Sequence, residues 1–262
     1  MPPRPWANKP WELLKLPPKP IGTTLRHLTA QTPSVALKIA TEMAQVHNAI
    51  LRGLNTIYLQ APNLQTPTEK SNLLFLTKSW AKWVTDHHRL EEKMFPGFEK
   101  ALGIPGLMRR DVEQYHAFEG ELERLLRYAS DTKAEEFEGS RLRGLLEGLV
   151  EGGFRVHLEG EIETLLSLGE FTSSEKNGVE KGKALLKVYK ECENEAAGQD
   201  KWIIPSMVLG LRDITYEGSE NWPVVPTAML WVVHHLLARR NAGAWSLLPC
   251  DTWGRPRELP FA

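Results

Sequence analysis

From Pro33 to about Gly169, apolar residues recur at three- and four-residue spacing in four successive stretches. That is the period of helices that bury one face. The first stretch covers about 34–60 and opens on a serine after a proline. The second covers about 68–95, with Thr68 as a candidate N-cap, Glu69 in its first turn and Pro96 expected to end it. The third covers about 108–128 and the fourth about 140–168. Proline- and glycine-bearing punctuation separates them at Pro62 and Pro67, at 96–105 and at 130–139. No strand-period alternation competes with this pattern. The prediction is an all-α, up-down-up-down four-helix bundle.

Both flanks break the pattern. Residues 1–32 hold Pro2, Pro3, Pro5, Pro10, Pro17, Pro18 and Pro20 and read as an extended arm that Trp6 and Trp11 anchor. Beyond Gly169 a polar helix is expected at 174–195 and an apolar one at 226–240, starting at its proline. The stretches NWPVVP and AWSLLPCDTWGRPRELPF lie around them. Three parts follow: an arm (1–32), a bundle (33–170), and a mixed helix and loop extension (171–262) expected to pack on the bundle.

Composition narrows the partners. With 32 basic against 33 acidic residues, a net charge of −1 and no basic run, charge-driven binding to nucleic acid or to an anionic membrane is not expected. Cys192 and Cys250 form no disulfide framework and no CxxC pair, which implies a reducing compartment and no thiolate zinc site. No apolar run approaches the ~20 residues of a membrane span, and the N-terminus lacks a signal-peptide core. A soluble, cytoplasmic protein whose partners are small molecules, metals or proteins is the expectation.

The informative residues are the ionisable ones on the apolar stripes. Met43, His47, Ile50, Leu54 and Ile57 share one face of the first helix, and Trp80, Val84, His87, Glu91 and Met94 share one face of the second. On the fourth, Val150, Phe154, His157 and Glu161 lead to Leu165 or Leu168. His47, His87, Glu91, His157 and Glu161 therefore point inward, and two inward HxxxE pairs result. An uncompensated buried carboxylate costs several kcal/mol. A cation would compensate it: glutamates would bridge two ions and histidines cap them, a donor set suited to iron or manganese. A buried salt-bridge network is the competing reading. On the third helix, with Leu122 at zero, Tyr115 falls at about 20°, Glu119 at about 60° and His116 at about 120°. Tyr115 and Glu119 are thus the inward residues and His116 the alternate ligand. His88 and Glu92 lie ~100° round from the seam and read as a surface or supporting pair. His234 and His235 read as packing residues, and no phosphate-loop pattern is present.

The stretches VHNAILRGLNTIYLQAP, HHRLEEKMFPGFEKALG and VHLEGEIETLLSL resemble the hemerythrin-like HHE cation-binding domain in its fungal form. The tail LPCDTWGRPRELPF is similar to the C-terminal extension of those fungal members. The resemblance implies a diiron centre that meets dioxygen, with His47, His87, Glu91, His157 and Glu161 as ligands and the two glutamates bridging. Family members carry two third-helix histidines in a stretch like EQHxAFHxGL, where this chain has EQYHAFEGEL. Tyr115 and Glu119 stand in their place, which makes the expected site richer in oxygen donors. Carboxylate-rich diiron sites favour activation of dioxygen over its reversible binding. The expected function is a non-haem diiron oxidoreductase that uses dioxygen to oxidise a small molecule held between bundle and extension. Tyr115 would stand beside the metal as ligand or neighbour. The alternative is a non-catalytic iron or oxygen carrier, store or sensor.

Overall fold

The architecture is that of a computed structural model, which describes residues 6–18, 34–173 and 177–262. Helix α1 (Ser34–Gln60), α2 (Pro67–Leu102), α3 (Arg109–Asp131) and the pair α4 (Gly139–Glu151) and α5 (Phe154–Ser173) make the bundle. α1 packs on α5, α2 on α3, and α3 on both α4 and α5. The predicted all-α class holds: no β-strand occurs among the described residues, where a lone bridge joins Cys250 to Pro256. The core is continuous from Ile39, Ile50 and Leu54 through Trp80 and Phe98 to Phe118, Leu125, Phe154 and Leu165.

Three boundaries differ from the sequence reading, each for a local reason. α2 begins one turn-residue earlier, capped by Thr66 instead of Thr68: the Thr66 hydroxyl accepts from the Glu69 amide, and Glu69 accepts from the Thr66 amide at 3.0 Å. α2 also continues through Pro96 to Leu102. Pro96 lies on the exposed face, where water can satisfy the carbonyl it leaves unpaired, and Phe95, Phe98 and Leu102 keep the next turns buried. The chain ends the helix at Gly103, in the left-handed conformation at φ 75°. The expected fourth helix is two helices, because Gly153 takes φ 104° and restarts the chain as α5.

The extension is more helical than its sequence suggests. α6 (Gly178–Ala196) lies against α2, α5 and α1, burying Leu185 and Tyr189; the expected start at Ser174 lies outside the described residues. Gly97 of α2 lets α6 approach, since a Cβ there would stand 2.7 Å from Val188 Cγ1. α7 (Ile204–Leu211), not foreseen, packs on α1 and α2. α8 (Thr227–His235) is shorter than the expected 226–240, and α9 (Ala242–Trp245) reaches α2. His235 is exposed and stacks on Trp231 at 4.9 Å, so it is not a core residue; the half-buried His234 lies against Trp253 at 4.4 Å.

Of the arm, residues 6–18 run along α1; the rest of the expected arm, including His27, lies outside the described residues. Its attachment explains why α1 buries amides. Asn48 exchanges hydrogen bonds with the Leu14 backbone at 2.7 and 3.0 Å, and Asn55 donates to the carbonyls of Ala7 and Trp11, each at 2.8 Å. Trp6 donates its indole N–H to the Arg257 carbonyl at 2.9 Å, joining the arm to the C-terminal tail. Among the described residues, no helix is long and apolar enough to cross a membrane.

Candidate metal centre

α1, α2 and α5 bring their inward polar residues to one level of the bundle. His47 Nε2 stands 3.4 Å from Glu161 Oε2 and 3.9 Å from Glu91 Oε1. His87 Nε2 is 2.8 Å from Glu91 Oε1, and His157 Nε2 is 4.0 Å from Glu161 Oε2. The imidazoles adjoin in sequence around the cluster, with ring centroids 5.4 Å apart for His47 and His87 and 5.0 Å for His88 and His157. Two sets of three donor atoms form, each within 4.8 Å: His47, His87 and Glu91, and His88, Glu91 and His157. Glu91 belongs to both.

His88 is the residue the sequence reading set aside. It is 1% exposed, more deeply buried than His87. Its place was legible, since Thr77, Ala81, Val84, His88, Glu91, Phe95 and Phe98 also follow the four-three spacing and are all buried. α2 has a broad buried face, and both neighbouring histidines reach its edges. His47 donates its Nδ1–H to the Leu158 carbonyl at 2.9 Å, and His88 donates its Nδ1–H to the Val84 carbonyl at 2.8 Å. Both bonds leave Nε2 with its lone pair free, as a metal-ligating histidine requires.

The third helix departs from expectation. Tyr115 is buried, its ring stacked on His88 at 4.8 Å and 6°. Glu119 does not reach the cluster: it is 40% exposed, accepts from the Tyr115 hydroxyl at 3.2 Å and pairs with His116. Its position ~60° off the face centre puts it at the rim, where a carboxylate keeps its water. His116, the alternate, is 53% exposed and lies between Glu92 and Glu119 at 3.2 Å from each. The carboxylate that α3 does bury is Asp111, one turn before Tyr115, held by the Thr164 hydroxyl at 3.1 Å. The spacing Asp111, Tyr115, Phe118, Leu122 and Leu125 carried that signal.

The electrostatics of the cluster are those of a site built for cations. Burial lowers His47, lowers His88 far below the ordinary imidazole range and pushes His157 down to about 4, so all three are neutral donors at neutral pH. Burial, with Glu91 and Asp111 nearby, pushes the Glu161 carboxyl far up. Burial also works to raise Glu91, but His87, His47 and His88 outweigh it and hold Glu91 well below its ordinary value. Without a cation, then, Glu161 carries the proton of the pair and Glu91 the charge. His47 Nε2, His88 Nε2, both nitrogens of His157 and all four carboxylate oxygens of Glu91 and Glu161 are buried without a partner in hydrogen-bond geometry. So dense a set of orphaned donors is costly unless metal fills it, and imidazole with carboxylate suits a first-row divalent ion. The residues present fit a metal.

A cavity of about 410 Å³ reaches His87 and Glu91 from outside the bundle, between α1, α2, α6 and the segment 222–224 of the extension. The far side of the cluster is closed. Phe118 and Phe154 pack against His88 there, with ring centroids 5.4 and 6.3 Å away.

The sequence profile of the hemerythrin HHE cation-binding domain matches residues 38–168. The chain is also 30% identical, over 264 residues, to the dimeric xanthone biosynthesis cluster protein R11 of Cryptosporiopsis sp. (strain 8999), covering 99% of this chain and 94% of that relative. No solved structure matches.

Proposed function

The chain belongs to the hemerythrin HHE cation-binding family, and from that premise we propose that it is a non-haem diiron protein that uses dioxygen to oxidise a small molecule. In this reading His47, His87 and Glu91 would hold metal on one side of the cluster and His88, Glu91 and His157 on the other. Glu161, ionised, would add a second carboxylate to the donor set. Iron is the expected metal, and the same donors accept manganese. Bound metal would supply redox equivalents and an open position for dioxygen.

The observation that carries an oxidative role is the cavity at His87 and Glu91. A store or carrier has no use for a substrate-sized space opening on two metal-facing side chains. The chain's own residues then divide the work. His87 and Glu91 face the incoming molecule; Phe118 and Phe154 exclude water behind His88; Tyr115 holds the His88 ring by stacking. The relative's place in a dimeric xanthone biosynthesis cluster favours a biosynthetic oxidation over oxygen transport.

The test is the metal content of protein from iron-supplemented cells, then the visible spectrum of the reduced protein before and after oxygen. About two irons per chain with a band that forms and decays is expected. A stable oxygenated band would replace this reading with a carrier, and protein without metal would overturn both.

A further inference from the structure

The cavity beside His87 has a mixed lining. Met43, Val46, Leu90, Trp222 and Val224 are apolar or aromatic. Glu42 of α1 and Glu193 of α6 are acidic, with Lys38 one turn before Glu42. Neither carboxyl belongs to the metal-facing cluster. Trp222 of the extension lies against Glu42 and works to lower it against the effect of burial.

Resting on the oxidative reading above, we propose that this cavity selects an uncharged, hydroxyl-bearing aromatic molecule of two to three fused rings, with its hydroxyl on Glu42 and Glu193 and its ring framework toward His87. The volume of about 410 Å³ fits that size class. The apolar side chains and the Trp222 indole take the ring faces. Charge selects among aromatic molecules. A carboxylate would add a third anion beside Glu42 and Glu193, whose carboxyls burial already raises, with Glu193 further raising Glu42. An ammonium would be opposed by the charge of Lys38, which already acts on both acids. A neutral O–H meets neither obstacle: it donates to a carboxylate oxygen, or accepts from a carboxyl that holds its proton.

Calorimetric titration of the full-length protein with naphthol, naphthoate and naphthylmethylamine, which carries an ammonium at neutral pH, tests this, because binding does not require turnover. Naphthol is expected to bind at least about tenfold more tightly than naphthoate, since one like-charge contact beside the half-buried Glu42 is worth at least that factor. The double substitution Glu42→Gln with Glu193→Gln should bring naphthoate to within about threefold of naphthol. Ala196→Trp, filling the cavity from the last turn of α6, should abolish binding of all three while metal content stays at the wild-type level. Naphthoate equal to naphthol in the wild type, naphthylmethylamine tighter than either, or naphthol binding untouched by Ala196→Trp would each overturn the proposal. Metal content and oxygen consumption measured on the same preparation report separately on the oxidative reading, so the two can fail independently.

Discussion

His87 and His88 are neighbours in sequence and stand in opposite surroundings. His87 is 12% exposed and lines the cavity between bundle and extension. His88 is 1% exposed and enclosed by Tyr115, Phe118, Phe154 and His157. A step of ~100° along one helix is enough to carry adjacent side chains to different sides of the same centre. The contrast gives the centre an open side and a dry one. On the dry side few waters screen the donors and their fields are strong; on the open side a small molecule can reach them. Such an asymmetry suits a centre that must hold its ions firmly and still meet something from outside.

Breaking the comparison at its shared element has the largest expected effect. Glu91→Ala removes the one side chain common to both sides, and metal content should fall from about two ions per chain to near zero. His88→Ala should cost one ion, and elemental analysis of both variants checks this. Retention of a full complement by His88→Ala would return His88 to the bystander role its sequence position suggested. Next comes the packing. Phe118→Ala on the dry side should destabilise the metal-free protein by about 3–5 kcal/mol, against about 1 kcal/mol for Val46→Ala on the open side, as read by urea unfolding. Equal costs would mean that the two sides are packed alike.

The Asp111 carboxyl sharpens the comparison through pH. Burial pushes it from 3.8 up to about 6. An acid raised on folding favours the folded state while it is protonated, and that contribution is lost as pH rises through the folded value. Asp111→Asn should therefore raise the urea midpoint of the metal-free protein at about pH 7, with the gain vanishing by about pH 4. A gain that persists in acid would tie the effect to packing instead. The smallest effect belongs to the rim: Glu119→Gln should leave metal content unchanged and shift stability by less than about 0.5 kcal/mol in the same unfolding assay.

Much of this protein was legible in its sequence because helix periodicity ties position to burial. His47, His87, Glu91, His157 and Glu161 stood on apolar stripes, and all five are in the cluster. The bundle itself followed from four stretches of that spacing. The resemblance carried the metal chemistry, and Asp111 and His88 were readable from buried four-three spacings that a single chosen stripe per helix left out. What the sequence left open were matters of a few tens of degrees or of one neighbour. Whether Pro96 ends α2 depends on which face of the helix it occupies, and whether 140–168 is one helix depends on the φ that Gly153 adopts.

The sequence by itself determined which helices carry donors, because a 3.6-residue period commits each inward side chain without reference to any partner. Only the tertiary structure decided which donors meet. Glu119 is drawn to Tyr115 and His116 at the rim, Asp111 is buried against Thr164, and α6 with Trp222 roofs one side of the centre and leaves the cavity. The last two rest on contacts between residues as far apart in the chain as Asp111 and Thr164 or α1 and Trp222, and no local rule of spacing reaches that far.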